Sequence, residues 1–192
     1  MYYYSPTPMY YVSQPYYAQA GPQDMRQNQQ PLEEQALQKQ IVQATMSAIK
    51  GEASAIEFYT RLEAIAPTAF AKEQVHHALQ DEKVHLKLFE DLYKNLTGSK
   101  PTYTIKKTSF KNFQDGLKKA YQEELDAYEA YRNAYLLTNN QYIRDVFFHA
   151  MTDEIEHATR FSYLYLNNKI NTKHKRSLSQ NNFVPYPSPY LV

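Results

Sequence analysis

Six residues of metal-ligand type recur in an arrangement that the chain carries twice. Glu52 is followed thirty residues later by Glu82 and then His85, and Glu124 is followed thirty residues later by Glu154 and then His157. One offset of 72 residues relates the copies, and without a gap it also superimposes Ala55 on Ala127, Glu57 on Glu129, Tyr59 on Tyr131, His77 on His149, Asp81 on Asp153 and Phe89 on Phe161. Self-similarity of this kind marks a repeated unit, here a pair of helices. Positions i and i+3 of a helix lie about 60° apart and about 4.5 Å along the axis, so each Glu-x-x-His directs a carboxylate and an imidazole to one point. One further carboxylate from each neighbouring helix, Glu52 and Glu124, completes a pair of sites. Bridging carboxylates can hold two divalent ions close together while leaving positions open to oxygen species. Carboxylate and imidazole suit iron or manganese, and the absence of cysteine removes thiolate zinc sites.

The residues around the six ligands repeat with them. Asp81 and Asp153 directly precede the ligand Glu in each copy, where a carboxylate can orient an imidazole through its other nitrogen. Tyr59 and Tyr131 stand two turns beyond Glu52 and Glu124 and can turn inward to a ligand carboxylate. His77 and His149, four residues before each Asp, extend the stripe outward. A lone Glu-x-x-His is more often a solvated surface pair, buried tyrosines are often plain core aromatics, and surface histidines are common on helices. It is the joint recurrence that favours metal. Glu57 and Glu129 also repeat, but five residues past the ligand Glu they face about 140° away, as surface charges do. Glu123 is the rival to Glu124, and the repeat offset selects Glu124.

Four helices must position these groups. The first runs from about Pro31 to Ala66, opened by Glu33 and Glu34 and stopped by Pro67, with Leu37, Ile41, Ala44, Ala48, Ala55, Ile56, Tyr59 and Leu62 at helical spacing. The second begins after Thr68, an N-cap type, and reaches about Leu96, with Gly98 as its stop. The third spans about Ser109 to Leu137 and the fourth about Gln141 to Asn167, separated by Asn139 and Asn140. The link from Gly98 to Thr108, at about 3.3 Å per extended residue, is long enough to run the length of a helix when taut. The expected fold is all-α, an antiparallel four-helix bundle built from a duplicated helix pair.

Composition places the tails and excludes other classes. Residues 1–30 hold seven tyrosines among Pro, Gln, Ser and Ala and few aliphatic residues, as an extended and association-prone segment does. Residues 171–192 form a second tail, with Tyr186 and Tyr190 set between prolines, and the bundle is expected over 31–170. Net charge is +1 with both signs interspersed, and the cluster Lys169, Lys173, Lys175, Arg176 is small, so nucleic acid is not an expected partner. No run has the length of a membrane span, and the N-terminus lacks the basic and apolar regions of a secretory signal. A cytoplasmic protein is the expectation.

The set Glu52, Glu82-x-x-His85, Glu124 and Glu154-x-x-His157 resembles the di-iron signature of the ferritin-like superfamily over about residues 35–165, and Gly51-Glu52 with Tyr59 is similar to its rubrerythrin branch. The resemblance implies two iron ions per chain, with manganese as the alternative metal. Glu82 and Glu154 would bridge, Glu52 and Glu124 would be the remaining carboxylate ligands, and His85 and His157 would be terminal. It implies reaction with dioxygen or hydrogen peroxide, an external electron donor, and a homo-oligomer such as a dimer. The His77 and Asp81 spacing is similar to that of bacterioferritins, where such residues are associated with iron transfer, which makes His77 and His149 an entry route for iron. Two features depart from rubrerythrins. A chain without cysteine has no rubredoxin-type four-cysteine site, so electrons come from elsewhere, and the turn positions beside Glu124 hold Tyr121 and Ala127 where that family has an additional Glu. Manganese catalases use a similar ligand set, so a manganese catalase-like activity is the alternative enzymatic reading. The Tyr/Pro-rich tails resemble in composition segments of endospore coat proteins, which implies as the alternative function a structural, coat-type assembly protein whose tails mediate association.

Overall fold

The computed structural model describes the backbone of residues 32–180 and the side chains of residues 33–168. Within that range lie four helices: α1 (Leu32–Ala64), α2 (Ala69–Thr97), α3 (Phe113–Leu136) and α4 (Gln141–Gln180). The local chemistry sets most of their ends. Thr68 is extended and its hydroxyl accepts from the Ala71 N–H at 3.1 Å, while Gly98, at φ 72°, closes α2 by donating its N–H to the Lys94 carbonyl at 2.8 Å.

Two boundaries differ from the sequence expectation. Asn112 caps α3 by accepting from the Asp115 N–H at 2.9 Å, and Asp115 accepts back from the Lys111 N–H at 2.9 Å. These two hydrogen bonds fix the turn before Phe113 and start α3 four residues after Ser109. At the other end α4 continues to Gln180, past Asn167, because neither proline nor glycine interrupts the chain before Pro185. The Tyr/Pro-rich segments 1–30 and 181–192 and the side chains of Lys169, Lys173, Lys175 and Arg176 lie outside the described residues.

The connection between α2 and α3 sets the topology. Tyr103 donates to Glu90 at 2.9 Å, the Lys106 N–H to the Ser54 hydroxyl at 3.1 Å, and Arg61 to the Thr108 carbonyl at 2.8 Å. The Arg61 guanidinium also lies 4.8 Å from the centroid of the Phe110 ring. In chain order the segment leaves α2 at Glu90 and then climbs α1 from Ser54 to Arg61, toward the end where α3 starts. The segment is therefore a strap along the bundle, and α3 runs parallel to α2 and antiparallel to α1. α1 packs with α2 and α3 with α4 as antiparallel hairpins, which meet along α1 with α3 and α2 with α4. One long crossover between two hairpins is the ferritin-like arrangement.

Two apolar clusters fill the interior, one around Phe58, Tyr59, Leu62, Val75, Leu117 and Phe161, the other around Ile49, Phe89, Leu92, Tyr131 and Phe147. They obey the same repeat, with the Tyr59 and Phe161 rings 5.2 Å apart and the Tyr131 and Phe89 rings 5.1 Å apart. Each buried side chain of this size stabilises by about 1.5–3 kcal/mol, which offsets the cost of the polar layer held between the clusters.

Two helical glycines test this packing with opposite signs. A Cβ on Gly51 would meet only the Tyr131 hydroxyl, at 3.7 Å, so Gly51→Ala is expected to stabilise by about 0.5–1 kcal/mol through helix propensity. A Cβ on Gly116 would overlap the fully buried Leu62 side chain and reach ordinary contact with Phe110. Gly116→Ala is expected to destabilise by about 1–3 kcal/mol, as overpacking does. Urea midpoints of the two variants measure the difference, and a common sign would contradict the packing described.

Candidate metal centre

The bundle has a polar interior layer at mid-height. Glu52, Glu82, Glu124, Glu154, His85 and His157 are each at most 3% exposed, although their side chains are ionisable. The helical spacing brings them there. Glu82 with His85 on α2 and Glu154 with His157 on α4 face the axis, while Glu52 on α1 and Glu124 on α3 close the sides.

The donor atoms fall into two overlapping groups. Glu52, Glu82, His85 and Glu154 place one ligand atom each within 4.8 Å of one another, and so do Glu82, Glu124, Glu154 and His157. Glu82 and Glu154 belong to both. His85 Nδ1 lies 3.2 Å from Glu82, 3.5 Å from Glu154 and 3.9 Å from Glu52. His157 Nδ1 lies 3.2 Å from Glu82, 3.5 Å from Glu124 and 3.5 Å from Glu154. Both imidazoles thus turn the same nitrogen inward.

The other imidazole nitrogen is held from the opposite hairpin. His85 Nε2 is 3.0 Å from Asp153 of α4, and His157 Nε2 is 3.1 Å from Asp81 of α2. An N–H donated to these carboxylates leaves Nδ1 as the lone-pair nitrogen that a metal requires. The tyrosines cross over in the same way. Tyr59 of α1 donates to Glu124 of α3 at 2.5 Å, and Tyr131 of α3 donates to Glu52 of α1 at 2.5 Å. Farther out, His77 is 3.2 Å from Asp81 and His149 is 3.4 Å from Asp153, and both histidines are about half exposed.

Burial and the crowding of four carboxylates set the electrostatics of the layer. Burial, with the neighbouring Glu82 and Glu154, holds the Glu52 carboxyl well above its ordinary range, and burial with Glu154 and Glu82 does the same to Glu124. Burial also pushes up the Tyr59 and Tyr131 phenols, reinforced by Glu124 and Glu52 respectively. Burial alone would depress the imidazoles, but the carboxylates of Asp153, Glu154 and Glu82 raise His85, and those of Asp81, Glu124, Glu154 and Glu82 raise His157. Against its own burial, Glu82 is driven down by the neighbouring imidazoles of His157 and His85. Even so, Glu82 Oε1, Glu154 Oε1 and His157 Nδ1 are buried without a hydrogen-bond partner among the described residues. Orphaned atoms of this kind call for an explanation, and a bound ion is one. Four carboxylates balance two divalent ions, and a set of only oxygen and imidazole donors suits iron or manganese, so the residues present fit the pair of metals.

The remaining sequence candidates separate cleanly. Glu123 faces outward and accepts from the Thr108 hydroxyl at 3.1 Å, whereas Glu124 is buried. Glu57 pairs with Arg61 at 2.8 Å away from the layer, and Glu129 is exposed. The periodicity did not indicate a cleft of about 550 Å³ between α1 and α3 that reaches Glu52, Glu124, Tyr59 and Tyr131 from outside. Its signal is the run of small residues Ala44, Ala48, Gly51 and Ala55 opposite Ala127 and Ala130, which helical spacing alone reads as core.

Four helices with one crossover around this buried layer define a ferritin-like protein. The chain belongs to the rubrerythrin family, whose family model matches residues 45–165. It is 32% identical over 123 residues to the uncharacterized protein YhjR of Bacillus subtilis (strain 168), spanning 64% of this chain and 85% of that protein. Among solved structures it is similar to the bacterioferritin-related dodecameric thioferritin of Bacteroides fragilis, with a TM-score of 0.62 and 16% identity over 74% of this chain and 98% of that one. A ferritin-like diiron-carboxylate protein of Bacillus anthracis str. Ames gives a TM-score of 0.59 and 19% identity, covering 67% and 97% of the two chains. No helix among the described residues is long and apolar enough to cross a membrane.

Proposed function

We propose that the chain binds two iron ions in the buried layer and reacts them with dioxygen or hydrogen peroxide, either to oxidise iron or to remove the oxidant. The observation that carries this reading is the pair of overlapping donor groups sharing Glu82 and Glu154. Glu82 and Glu154 would bridge the ions, Glu52 with His85 would complete one position, and Glu124 with His157 the other. The ions would supply the redox chemistry and the Lewis acidity.

The protein's own groups do the rest. Asp153 and Asp81 fix the imidazole tautomers, Tyr59 and Tyr131 hold Glu124 and Glu52 in place, and the flanking aromatic clusters exclude water from two sides. His77 with Asp81 and His149 with Asp153 line the α2 and α4 face, where they offer successive ligands to an incoming cation. The cleft between α1 and α3 admits the oxidant from the opposite face.

Anaerobic titration of the full-length protein with Fe(II) is expected to saturate at about two ions per chain, followed by oxidation on mixing with dioxygen or peroxide. Metal content of natively produced protein identifies the ion, and manganese with peroxide disproportionation would replace the iron reading. A stoichiometry near zero would refute a metal centre altogether.

A further inference from the structure

The cleft between α1 and α3 is larger than its oxidant requires. A water molecule occupies about 30 Å³ of liquid, and dioxygen and peroxide are of similar size, whereas this space is about 550 Å³ and lies within the range of organic-ligand pockets. Its walls and floor differ in character. The walls are small apolar side chains, chiefly Ala48 and Ala55 of α1 facing Ala127 and Ala130 of α3. The floor is rich in acceptors, because Glu52, Glu82, Glu124 and Glu154 all reach it and Tyr59 and Tyr131 already spend their O–H donors on Glu124 and Glu52. The rim carries both signs, with Lys50 and Lys106 beside Glu123 and Asp126, and so favours no net charge.

A flat apolar body with a single O–H donor matches these features together. We propose that the cleft binds a phenol, hydroxyl inward, and that the phenol is the electron donor to the centre. This rests on the two-metal reading for the reaction but not for the binding. Two phenols each give up one electron and one proton to one hydrogen peroxide. The O–O bond breaks to give two waters, and the two phenoxyl radicals join through a new C–C bond. Such a donor also suits a chain that has no cysteine of its own. The phenol has two potential sources, a free small molecule and a tyrosyl side chain, of which this polypeptide holds 19, seven of them before residue 18.

The test is binding of p-cresol to the full-length protein, as isolated by calorimetry and after metal removal by NMR. The expected dissociation constant is on the order of a millimolar for so small a ligand, with shifts at the methyl groups of Ala48, Ala55 and Ala127. Gly51→Leu and Ala130→Leu, which fill the cleft from opposite helices, are each expected to weaken binding by about tenfold or more while thermal melts report an intact fold. Unchanged binding in both folded variants, or no saturable binding in the unsubstituted protein, would overturn the proposal. Binding that persists in protein unable to take up metal would keep the cleft assignment and overturn the two-metal reading together with the phenol's role as electron donor. Deleting residues 1–30 separates the sources. A several-fold gain in p-cresol affinity assigns the cleft to the chain's own tyrosines, and an unchanged affinity assigns it to a free phenol.

Discussion

Substituting Glu82 by alanine is expected to abolish binding at both metal positions, whereas Glu52→Ala is expected to leave about one ion per chain. The asymmetry follows from membership. Glu82 belongs to both donor groups and Glu52 to one. Glu154→Ala should behave like Glu82→Ala, and Glu124→Ala like Glu52→Ala. Since removal of a buried side chain can itself unfold a bundle, Glu82→Gln, which keeps the volume and removes the charge, provides a second variant of the same sense. The aspartates add a finer test. Asp153→Ala should weaken the position of His85 by about 10–100-fold, and Asp81→Ala the position of His157, because each supports the imidazole of the other hairpin. Anaerobic titrations with Fe(II) or Mn(II), read as stoichiometry and stepwise affinity, distinguish these cases. Equal losses from Glu52→Ala and Glu82→Ala would refute the shared-bridge arrangement.

Metal-free protein is expected to lose stability as pH rises from about 5 to about 8, and metal is expected to reverse that trend. Glu52 and Glu124 are raised above an ordinary 4.5, and His85 and His157 above an ordinary 6.5. Over the windows that begin at those values the folded state therefore binds more protons than the unfolded chain. Stability then falls with pH, by about 1.4 kcal/mol per pH unit for each proton of difference. Glu82, pulled below its ordinary 4.5, acts the other way and contributes stability that is lost as the pH drops below that value. For the raised groups of the layer, the metal-free fold is therefore favoured toward the acid side of neutrality. Ligation takes the place of the protons, so metal uptake releases them and its affinity rises with pH. Urea denaturation at pH 5 and pH 8, with and without Mn(II), measures both trends. A metal-free protein more stable at pH 8 than at pH 5 would contradict the electrostatics of the layer.

Which residues gather in the candidate site was legible in the sequence, and their connections were not. The repeat offset could choose Glu124 over Glu123 and mark Tyr59, Tyr131, Asp81 and Asp153, because helical geometry carries periodic information about which face a residue occupies. It could not say that Asp153 serves His85 or that Tyr59 serves Glu124, since these pairings depend on how the two hairpins dock. The ends of α2 were readable because Thr68 and Gly98 act locally, while α3 begins later than Ser109 because the Asn112 and Asp115 cap, a three-residue interaction, outweighs the preceding polar run. The cleft stayed hidden for a related reason. Alanine at helical spacing has the same pattern whether it packs against a neighbour or leaves a gap.

Each of the four pairings of Tyr59, Tyr131, Asp81 and Asp153 in the layer has one partner in residues 52–85 and the other in residues 124–157. Rotating one hairpin by half a turn onto the other would exchange Tyr59 with Tyr131 and Asp81 with Asp153 and leave the pattern unchanged. In geometric terms the protein is a homodimer of hairpins written as one polypeptide, with the strap as its tether. The tether makes docking intramolecular and sets the effective concentration of one half for the other at roughly millimolar or above. A split chain, divided within residues 98–112, is therefore predicted to reassemble only as concentration or metal replaces what the strap provides.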